Sequence, residues 1–319
     1  MTIGDHLQSL YGLPDYTFPG PEEDPDDLPD PDGYAWRITS DIYDVNEDCV
    51  AAFARFCEDV DTTRVRALII GAWQDAYDTD PSAVIEALIA AKDRFPALRA
   101  LFVGDMVMEE CEISWIRQTD VTPLLAAFPR LEEFGVRGGK DLRFPAVSHA
   151  ALRRLTMESG GLPAEVVRGL SASDLPALER LDLWLGTPDY HGNSEVADLA
   201  GILSGARLPN LRELALRNSE MQDAVAAAVA AAPVVARLDV LDLSMGVLTD
   251  DGAAALLAGQ PLTHLKKLFL HHHYLSEPLQ ERVRQTLETA GVEVDLDRDD
   301  ADEDERDDGT VWRYVAVGE

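Results

Sequence analysis

The chain has 319 residues, 46% of them hydrophobic, and its 59 acidic residues against 27 basic ones give a formal net charge of −32. This apolar content suffices for a sizeable core and excludes a fully disordered chain. The negative charge repels phosphate groups, which argues against nucleic acid and membrane surfaces as partners, and no apolar run reaches the ~18 residues of a membrane span.

The N-terminal segment, residues 1–62, is expected to hold an acidic stretch and one capping repeat. Its first residues show neither a basic region nor an apolar run, so we expect no secretory signal and a cytoplasmic location. Residues 21–33 carry seven acidic residues and no basic one, which predicts disorder. Residues 35–39 predict a strand. The helix that follows is predicted from an apolar stripe of four residues: Cys49, Phe53, Phe56 and Val60.

From residue 65 onward one short pattern, Leu-x-x-Leu-x-Leu with conservative replacements, recurs eight times. Successive copies begin 33, 33, 21, 26, 33, 27 and 27 residues apart, and repeats of this size are typical of solenoids. The copies are Val65, Leu68, Ile70; Leu98, Leu101, Val103; Leu131, Phe134, Val136; Leu152, Leu155, Met157; Leu178, Leu181, Leu183; Leu211, Leu214, Leu216; Leu238, Leu241, Leu243; and Leu265, Leu268, Leu270.

Between these copies the apolar period changes from two to about 3.6, which predicts a helix after each strand. One strand and one helix cannot bury their apolar faces alone, so successive units must stack. We therefore predict an α/β solenoid over residues 63–296, with a curved parallel sheet on its concave side and helices on its convex side. The helical signals are Val84, Ile85 and Leu88 after Asp80 and Pro81; Leu124 after Thr122 and Pro123; Val225 and Val229; Leu256 and Leu257 after Thr249; and Leu279, Val283 and Leu287.

These repeats resemble the leucine-rich repeats of ribonuclease-inhibitor-like proteins, in which a strand alternates with a helix. The best copy is the one beginning at Leu238, followed by Leu248-Thr249-Asp250-Asp251-Gly252 and a helix. Asn218 stands where that family has an asparagine whose side chain hydrogen-bonds the turn backbone. The layout that includes Ser114-Trp115-Ile116 is also similar to a bacterial cytoplasmic leucine-rich-repeat family of unassigned activity. Both resemblances imply a binding protein rather than an enzyme.

The C-terminal residues are expected to cap the array. Residues 297–309 form an acidic stretch that we predict to be disordered, and residues 310–319 form a capping strand. We expect residues 292–296 and 310–317 to pair as an antiparallel hairpin that closes the last edge of the sheet.

Positions between the repeated leucines should face solvent on the concave sheet, where large apolar side chains mark a binding site. Phe102, Trp184 and Phe269 are the expected anchors. Their polar neighbours on the sheet and two rim residues complete the candidate site: Arg137, Arg217, Asp182, Asp242, His271, Trp73 and Tyr190. In the alternative interpretation, inserts or terminal segments cover these aromatics and make them core. The insert 106–119 is either a recognition loop or, as we prefer, packs Ile113, Trp115 and Ile116 under the array.

Signals for catalysis are weak. Three consecutive residues, His271-His272-His273, point to alternating sides of a strand and cannot converge on one ion, so we expect no metal and no cofactor. Asp242 and His271 lie on neighbouring strands, where a diagonal contact would give an acid–base pair. The sequence contains no HExxH, GxSxG or GxxxxGK[ST] motif.

We therefore expect a non-catalytic scaffold that binds a protein or peptide on the concave sheet and the adjacent loops. Its negative charge favours a basic partner. The alternative is an enzyme, or an enzyme accessory subunit, that acts on a small substrate near Asp242 and His271. A third possibility is a structural role in a larger assembly, and the sequence leaves the oligomeric state open.

Overall fold

A sheet of twelve strands runs through the chain, with the strands side by side in sequence order. The computed structural model describes residues 4–23, 28–42, 47–298, 301–306 and 308–319. Neighbouring strands from β2 to β12 are parallel, whereas β1 is antiparallel to β2. The strands are β1 Ser9–Leu10, β2 Leu13–Thr17, β3 Ala35–Ile38, β4 Ala67–Ile70, β5 Ala100–Val103, β6 Glu133–Arg137, β7 Arg154–Glu158, β8 Arg180–Gly186, β9 Glu213–Ser219, β10 Val240–Asp242, β11 Lys267–Phe269 and β12 Glu293–Asp295.

In the described part of the chain, eight α-helices lie in the connections between β3 and β12. Parallel neighbours need such crossovers, because the chain must return to the end of the sheet at which the previous strand began. Every residue of the predicted helical stripes lies within these helices except Val60, which is the C-cap residue directly after α1, so the predicted helices are confirmed. Residues 138–153, all of which the structure describes, link β6 to β7 without a helix. The helices are α1 Cys49–Asp59, α2 Ser82–Ala90, α3 Thr122–Ala127, α4 Ala164–Ala172, α5 Ala200–Ser204, α6 Gln222–Val229, α7 Asp250–Ala258 and α8 Glu277–Leu287.

The register of the sheet aligns the repeats. The second apolar position of each copy pairs with that of the next, from Leu68 beside Leu101 to Leu241 beside Leu268. All three apolar positions of every copy are at most 3% exposed, and they join the apolar helix residues in one core. A buried leucine contributes roughly 1.5–3 kcal/mol, so this core accounts for the α/β architecture with a parallel sheet that the repeats predict.

The C-terminal hairpin uses a different pair of segments from the predicted one. Residues Glu293–Asp295 extend the sheet as its last parallel strand, because α8 returns the chain in the same direction as every earlier helix. The antiparallel partner of β14, Val311–Arg313, is instead β13, Glu303–Glu305, and Gly309 supplies the positive φ of the tight connection.

The acidic stretches predicted to be disordered are described only in part. Strand β13 lies within the second stretch, while residues 299, 300 and 307 lie outside the described residues. In the first stretch residues 24–27 lie outside them, and a turn closes on Gly33, whose N–H donates to Asp30 O at 3.0 Å. Within the part of the chain that is described, no helix combines the length and apolarity needed to cross a bilayer.

Candidate functional site

Among the described residues, the helices pack against one face of the sheet in the main core, and we call the opposite face the open face. The row predicted between the repeated leucines is aligned there as expected, because the strand register pairs each member with the next. Its members are Ile69, Phe102, Gly135, Thr156, Asp182, Ala215, Asp242 and Phe269. Much of this row is buried, since both ends of the chain fold back over the open face.

The N-terminal end covers Phe102, contrary to the prediction of an exposed anchor. Phe102 is 3% exposed and packs with Ile69 and Leu10 in a separate apolar cluster. Tyr11 and Gly12, both at positive φ, form the turn that folds β1 back along β2 and across the sheet. Gly135 leaves room for the ring, because a Cβ at that position would meet it. The alternative interpretation, a covered aromatic, is correct here.

A buried carboxylate fixes this N-terminal segment to the sheet. Asp105 is fully buried and accepts hydrogen bonds from Arg37 Nε at 2.9 Å and from the Leu7 N–H at 3.1 Å. Arg37 also donates to Asp15 Oδ2 at 2.5 Å, and His6 Nδ1 lies 3.1 Å from Asp105 O. These contacts satisfy the buried charges, which burial alone would penalise.

The same contacts determine how His6 and Asp105 titrate. The hydrogen bond with Asp105 raises the pKa of His6 above its usual 6.5, although burial opposes this. Burial opposes ionisation of Asp105, but the hydrogen bond with His6 and the charges of Arg137 and Arg37 outweigh it and lower the pKa of this carboxyl.

The predicted polar contacts of the open face bind one another. Arg217 forms a bidentate pair with Asp182, with Nε–Oδ1 and Nη2–Oδ2 distances of 2.9 and 2.8 Å, and its Nη1 lies 3.6 Å from Asp242 Oδ2. Arg137 donates to Glu158 Oε2 at 2.8 Å. Arg137 and Asp182 are only 4% and 2% exposed, so their predicted accessibility is wrong: each charge is neutralised inside this network.

Glu158 is a buried acid that the sequence analysis did not select. Burial raises the pKa of its carboxyl, although the neighbouring Arg137 acts in the opposite direction. Its alignment beside Arg137 in the register of β6 and β7 is the signal that could have identified the pair.

The C-terminal end covers Trp184. Trp184 is 5% exposed and packs with Ile113, Met245 and Val317, so it too is a buried residue rather than the predicted exposed anchor. The reason is that residues 314–319, which we call the C-terminal tail, lie over the carboxyl ends of the strands. Asn218 holds the tail: its Oδ1 accepts from Val317 N at 2.9 Å and its Nδ2 donates to Val317 O at 2.6 Å.

The predictions for Trp73 and for the pair of Asp242 and His271 also differ from the structure. Trp73, expected on the rim, is 3% exposed and donates its indole N–H to Thr79 O at 3.1 Å, because its loop folds inward. The acid–base pair is not formed: Asp242 accepts from the Ser244 N–H at 2.9 Å, while His271 Nδ1 lies 3.2 Å from Asp295 Oδ2. In the register of the sheet, Phe269 lies between Asp242 and Asp295. His271 thus contacts a carboxylate two strands away from Asp242 rather than Asp242 itself.

The remaining candidates are partly exposed. Phe269 and His271 lie near the C-terminal end of the open face with their rings 6.5 Å apart, edge to face. Tyr190 lies on the loop after β8 and donates to Glu319 Oε1 at 2.5 Å. His272 and His273 point to different acceptors, Tyr314 O and Leu296 O, at 2.9 and 3.2 Å.

Large exposed apolar side chains are concentrated at the carboxyl ends of the strands. We call this set the aromatic rim: Tyr77, Met108, Trp115, Val311, Trp312 and Tyr314. Trp115 and Trp312 are 53% and 42% exposed. The preferred interpretation of the insert 106–119 is correct for Ile113 and Ile116, which are buried, but wrong for Trp115, whose ring faces solvent near Lys140 Nζ, 5.4 Å from its centroid.

The two parts of the rim are joined by the tail. Val317 packs against Ile113 of the insert, and Tyr190 contacts Glu319. Trp312, Tyr314 and Tyr190 line a cleft of about 330 Å³ between the hairpin and the loop after β8. The tail thus contacts both the insert and the loop after β8, and the cleft beside it combines apolar and hydrogen-bonding groups.

Groups for metal or thiol chemistry are few. Across the described residues no three His, Cys, Asp or Glu side chains are grouped so that they could hold an ion. All three cysteines are buried thiols, and burial raises the pKa of Cys49 to about 12 and that of Cys111 to about 11. A thiolate nucleophile is therefore disfavoured at neutral pH.

Comparison with solved structures gives an informative likeness. No family model and no curated protein matches the chain. A leucine-rich-repeat protein of Leptospira interrogans matches with 14% identity and a TM-score of 0.19, over 73% of this chain and 90% of that one, which is too low to support any argument. A crystal structure of a Bacteroides fragilis protein matches with 30% identity and a TM-score of 0.73, over 79% of this chain and 70% of that one. At this identity and coverage, the chain belongs to the same family as the Bacteroides fragilis protein.

Proposed function

We propose that the chain is a curved leucine-rich-repeat solenoid that binds a protein or peptide partner at its aromatic rim. The eight repeats, the sequential strand order and the aligned register support the solenoid. The proposal moves the binding surface away from the open face, where Phe102 and Trp184 are buried, to the carboxyl ends of the strands.

The observation that carries the proposal is the distribution of exposed apolar side chains. Among the described residues, the large hydrophobic side chains that are exposed all belong to the aromatic rim. Tryptophan and tyrosine are enriched among residues that dominate binding energy, and a clustered exposed patch is typical of an interaction site. Aromatic side chains of the core, such as Trp36, Phe56 and Phe134, are fully buried, so large exposed side chains are confined to the rim in the described part of the chain.

Charge indicates the chemistry of the partner. The chain carries a net charge of −32, and acidic side chains such as Glu112 and Glu319 accompany the rim aromatics. Opposite charge speeds association and disfavours wrong partners more than it adds affinity. A partner with basic residues around an apolar anchor fits this surface best.

The test compares affinity purification from native lysate with the intact chain and with the double variant Trp115→Ala, Trp312→Ala. Loss of a central aromatic anchor costs about 2 kcal/mol, or roughly 30-fold in affinity, so partner recovery should fall at least tenfold. Arg282→Ala, an exposed change on α8, is the matched control and should leave recovery unchanged. Equal recovery with the double variant, at equal folding by circular dichroism, contradicts the proposal.

A further inference from the structure

The C-terminal tail is held to the carboxyl ends of the strands through its main chain. The carboxamide of Asn218 makes a two-point pair with the N–H and C=O of Val317. Ala316 N donates to Met245 O at 2.8 Å, and Tyr314 O accepts from Tyr274 Oη at 2.8 Å. Contacts of this kind recognise any extended peptide, because every residue except proline offers the same groups.

The side chains of the tail fit a specific surface. Val317 fills an apolar pocket formed by Ile113, Trp184 and Met245. A small residue fits best at the next position, because a Cβ on Gly318 would lie 3.0 Å from the Tyr190 ring and the ring would have to shift. Gly160 on the array lets the tail approach, since a Cβ there would meet Gly318 O. Glu319 then accepts the hydrogen bond from the Tyr190 hydroxyl. The surface therefore fits an aliphatic residue, a small residue such as glycine and an acid in succession.

The array itself orients part of the groove. Asn218 is fully buried, and its Nδ2 also lies 3.3 Å from Ser159 O, so its carboxamide is oriented by the repeats rather than by the tail alone. The 95% buried Trp184 keeps an indole N–H without a hydrogen-bond partner among the described residues. A buried donor without an acceptor costs about 1–3 kcal/mol, so the tail leaves part of the groove's hydrogen-bonding capacity unused.

The tail is connected to the array by a weakly packed element. All six residues of β13 and β14 are exposed or partly exposed, and the segment that leads to them is strongly acidic. Elements with few buried apolar contacts open at a low free-energy cost. The element that connects the tail to the array therefore contributes little to holding the tail in the groove.

We propose that the groove over β8 to β10 is a peptide-binding site and that the chain's own tail occupies it as a competing ligand. The external ligand is an extended peptide segment with an aliphatic–glycine–acidic pattern. This inference rests on the proposed function of peptide binding and names the ligand class. Because a tethered segment has an effective concentration of about 1 mM, a tail with an intrinsic dissociation constant near 10 µM weakens the binding of an external peptide roughly 100-fold.

The experiment measures fluorescence anisotropy of a labelled synthetic peptide with the sequence of residues 313–319, added to full-length protein. Two tail variants release the groove: Val317→Asp, which places a charge in the apolar pocket, and Ala316→Pro, which removes the N–H donated to Met245 O. Both should bind the peptide about 100-fold more tightly than the unmodified chain does. Combining Val317→Asp with Asn218→Ala should weaken that binding at least tenfold, and so should Val317→Asp in the peptide.

The outcomes separate this inference from the proposed function. If both tail variants fold, as judged by circular dichroism, and neither binds the peptide, the tail is a fixed cap and the inference is wrong. If both variants unfold, the tail is part of the fold and the inference is equally overturned. In either case, a loss of partner recovery on changing Trp115 and Trp312 would still support binding at the aromatic rim.

Discussion

Asp105 shows how one residue can decide whether a surface is open or covered. Its carboxylate receives Arg37 and Arg137 from two strands and the Leu7 N–H from the N-terminal segment. Breaking a buried ion pair by removing one partner costs about 3–5 kcal/mol, since the other charge stays buried. Asp105 therefore holds the N-terminal segment on the sheet, and this keeps Leu10 in contact with Phe102.

His6 should make the stability of this arrangement depend on pH. The folded state raises the pKa of His6 above 6.5, so its stabilising contribution is complete below that pH and is lost as pH rises through the folded-state pKa. The charged groups facing it are Asp105, Glu110 and Arg37. We expect the stability advantage of the unmodified chain over His6→Gln to shrink as the pH rises above 6.5 and through the raised pKa of His6.

Urea unfolding of both proteins at several pH values measures this advantage. Taking the difference between them removes the contributions of His149 and His273, whose pKa values are lowered by burial and which therefore act with the opposite sign. A difference that stays constant with pH, or grows, would show that His6 does not titrate against Asp105.

At the level of elements, adjacent helices cap one another. Asp223 in the first turn of α6 accepts from Thr249 N at 2.7 Å, Thr249 Oγ1 at 2.6 Å and Gly252 N at 3.2 Å, at the start of α7. Asp250 in turn accepts from Ser276 N at 2.8 Å and Ser276 Oγ at 2.7 Å, at the start of α8. Helices α6 and α7 thus each supply a carboxylate acceptor at the start of the helix that follows.

Replacing Asp223 with alanine should lower the free energy of unfolding by about 2 kcal/mol, because a cap and its neighbouring hydrogen bonds are lost together. Asp251→Ala is the matched control: it removes an exposed acid from the first turn of α7 and should cost less than about 1 kcal/mol. Chemical denaturation of the two variants gives both values. Equal losses would mean that the aspartates act only through their charge.

Strands and helices of the array were predictable because each follows from a local apolar period, as the repeat from Leu238 and the helix after Thr249 illustrate. The C-terminal hairpin was not, because the sequence does not show that residues 293–295 continue the parallel sheet. The coverage of Phe102 and Trp184 depends on contacts between residues about 90 to 130 positions apart along the chain. Such contacts leave no periodic signal.

At the scale of the whole molecule, both ends of the chain return to the open face. The N-terminal segment covers β3 to β5, and the tail covers the ends of β8 to β10. The predicted row of polar residues therefore lies between these two covering segments. Its charges are paired within the sheet, whereas the large exposed apolar side chains lie at the aromatic rim. The aromatic and charged residues that the sequence predicts as binding residues are therefore largely buried and stabilise the fold. Trp115 and Trp312, in contrast, are exposed to solvent.

The net charge of −32 should make the stability of the whole molecule depend on salt. Self-repulsion destabilises a compact state of high net charge, and screening shortens from ~10 Å at 0.1 M to ~3 Å at 1 M ionic strength. Exposed pairs such as Lys267 with Glu293 lose little when screened, since such pairs contribute about 0–1 kcal/mol. We expect Tm to rise by several degrees between 0.02 and 0.5 M sodium chloride in calorimetry. Sodium fluoride should give the same rise if screening is the cause, whereas a falling Tm would show that the surface ion pairs outweigh the repulsion.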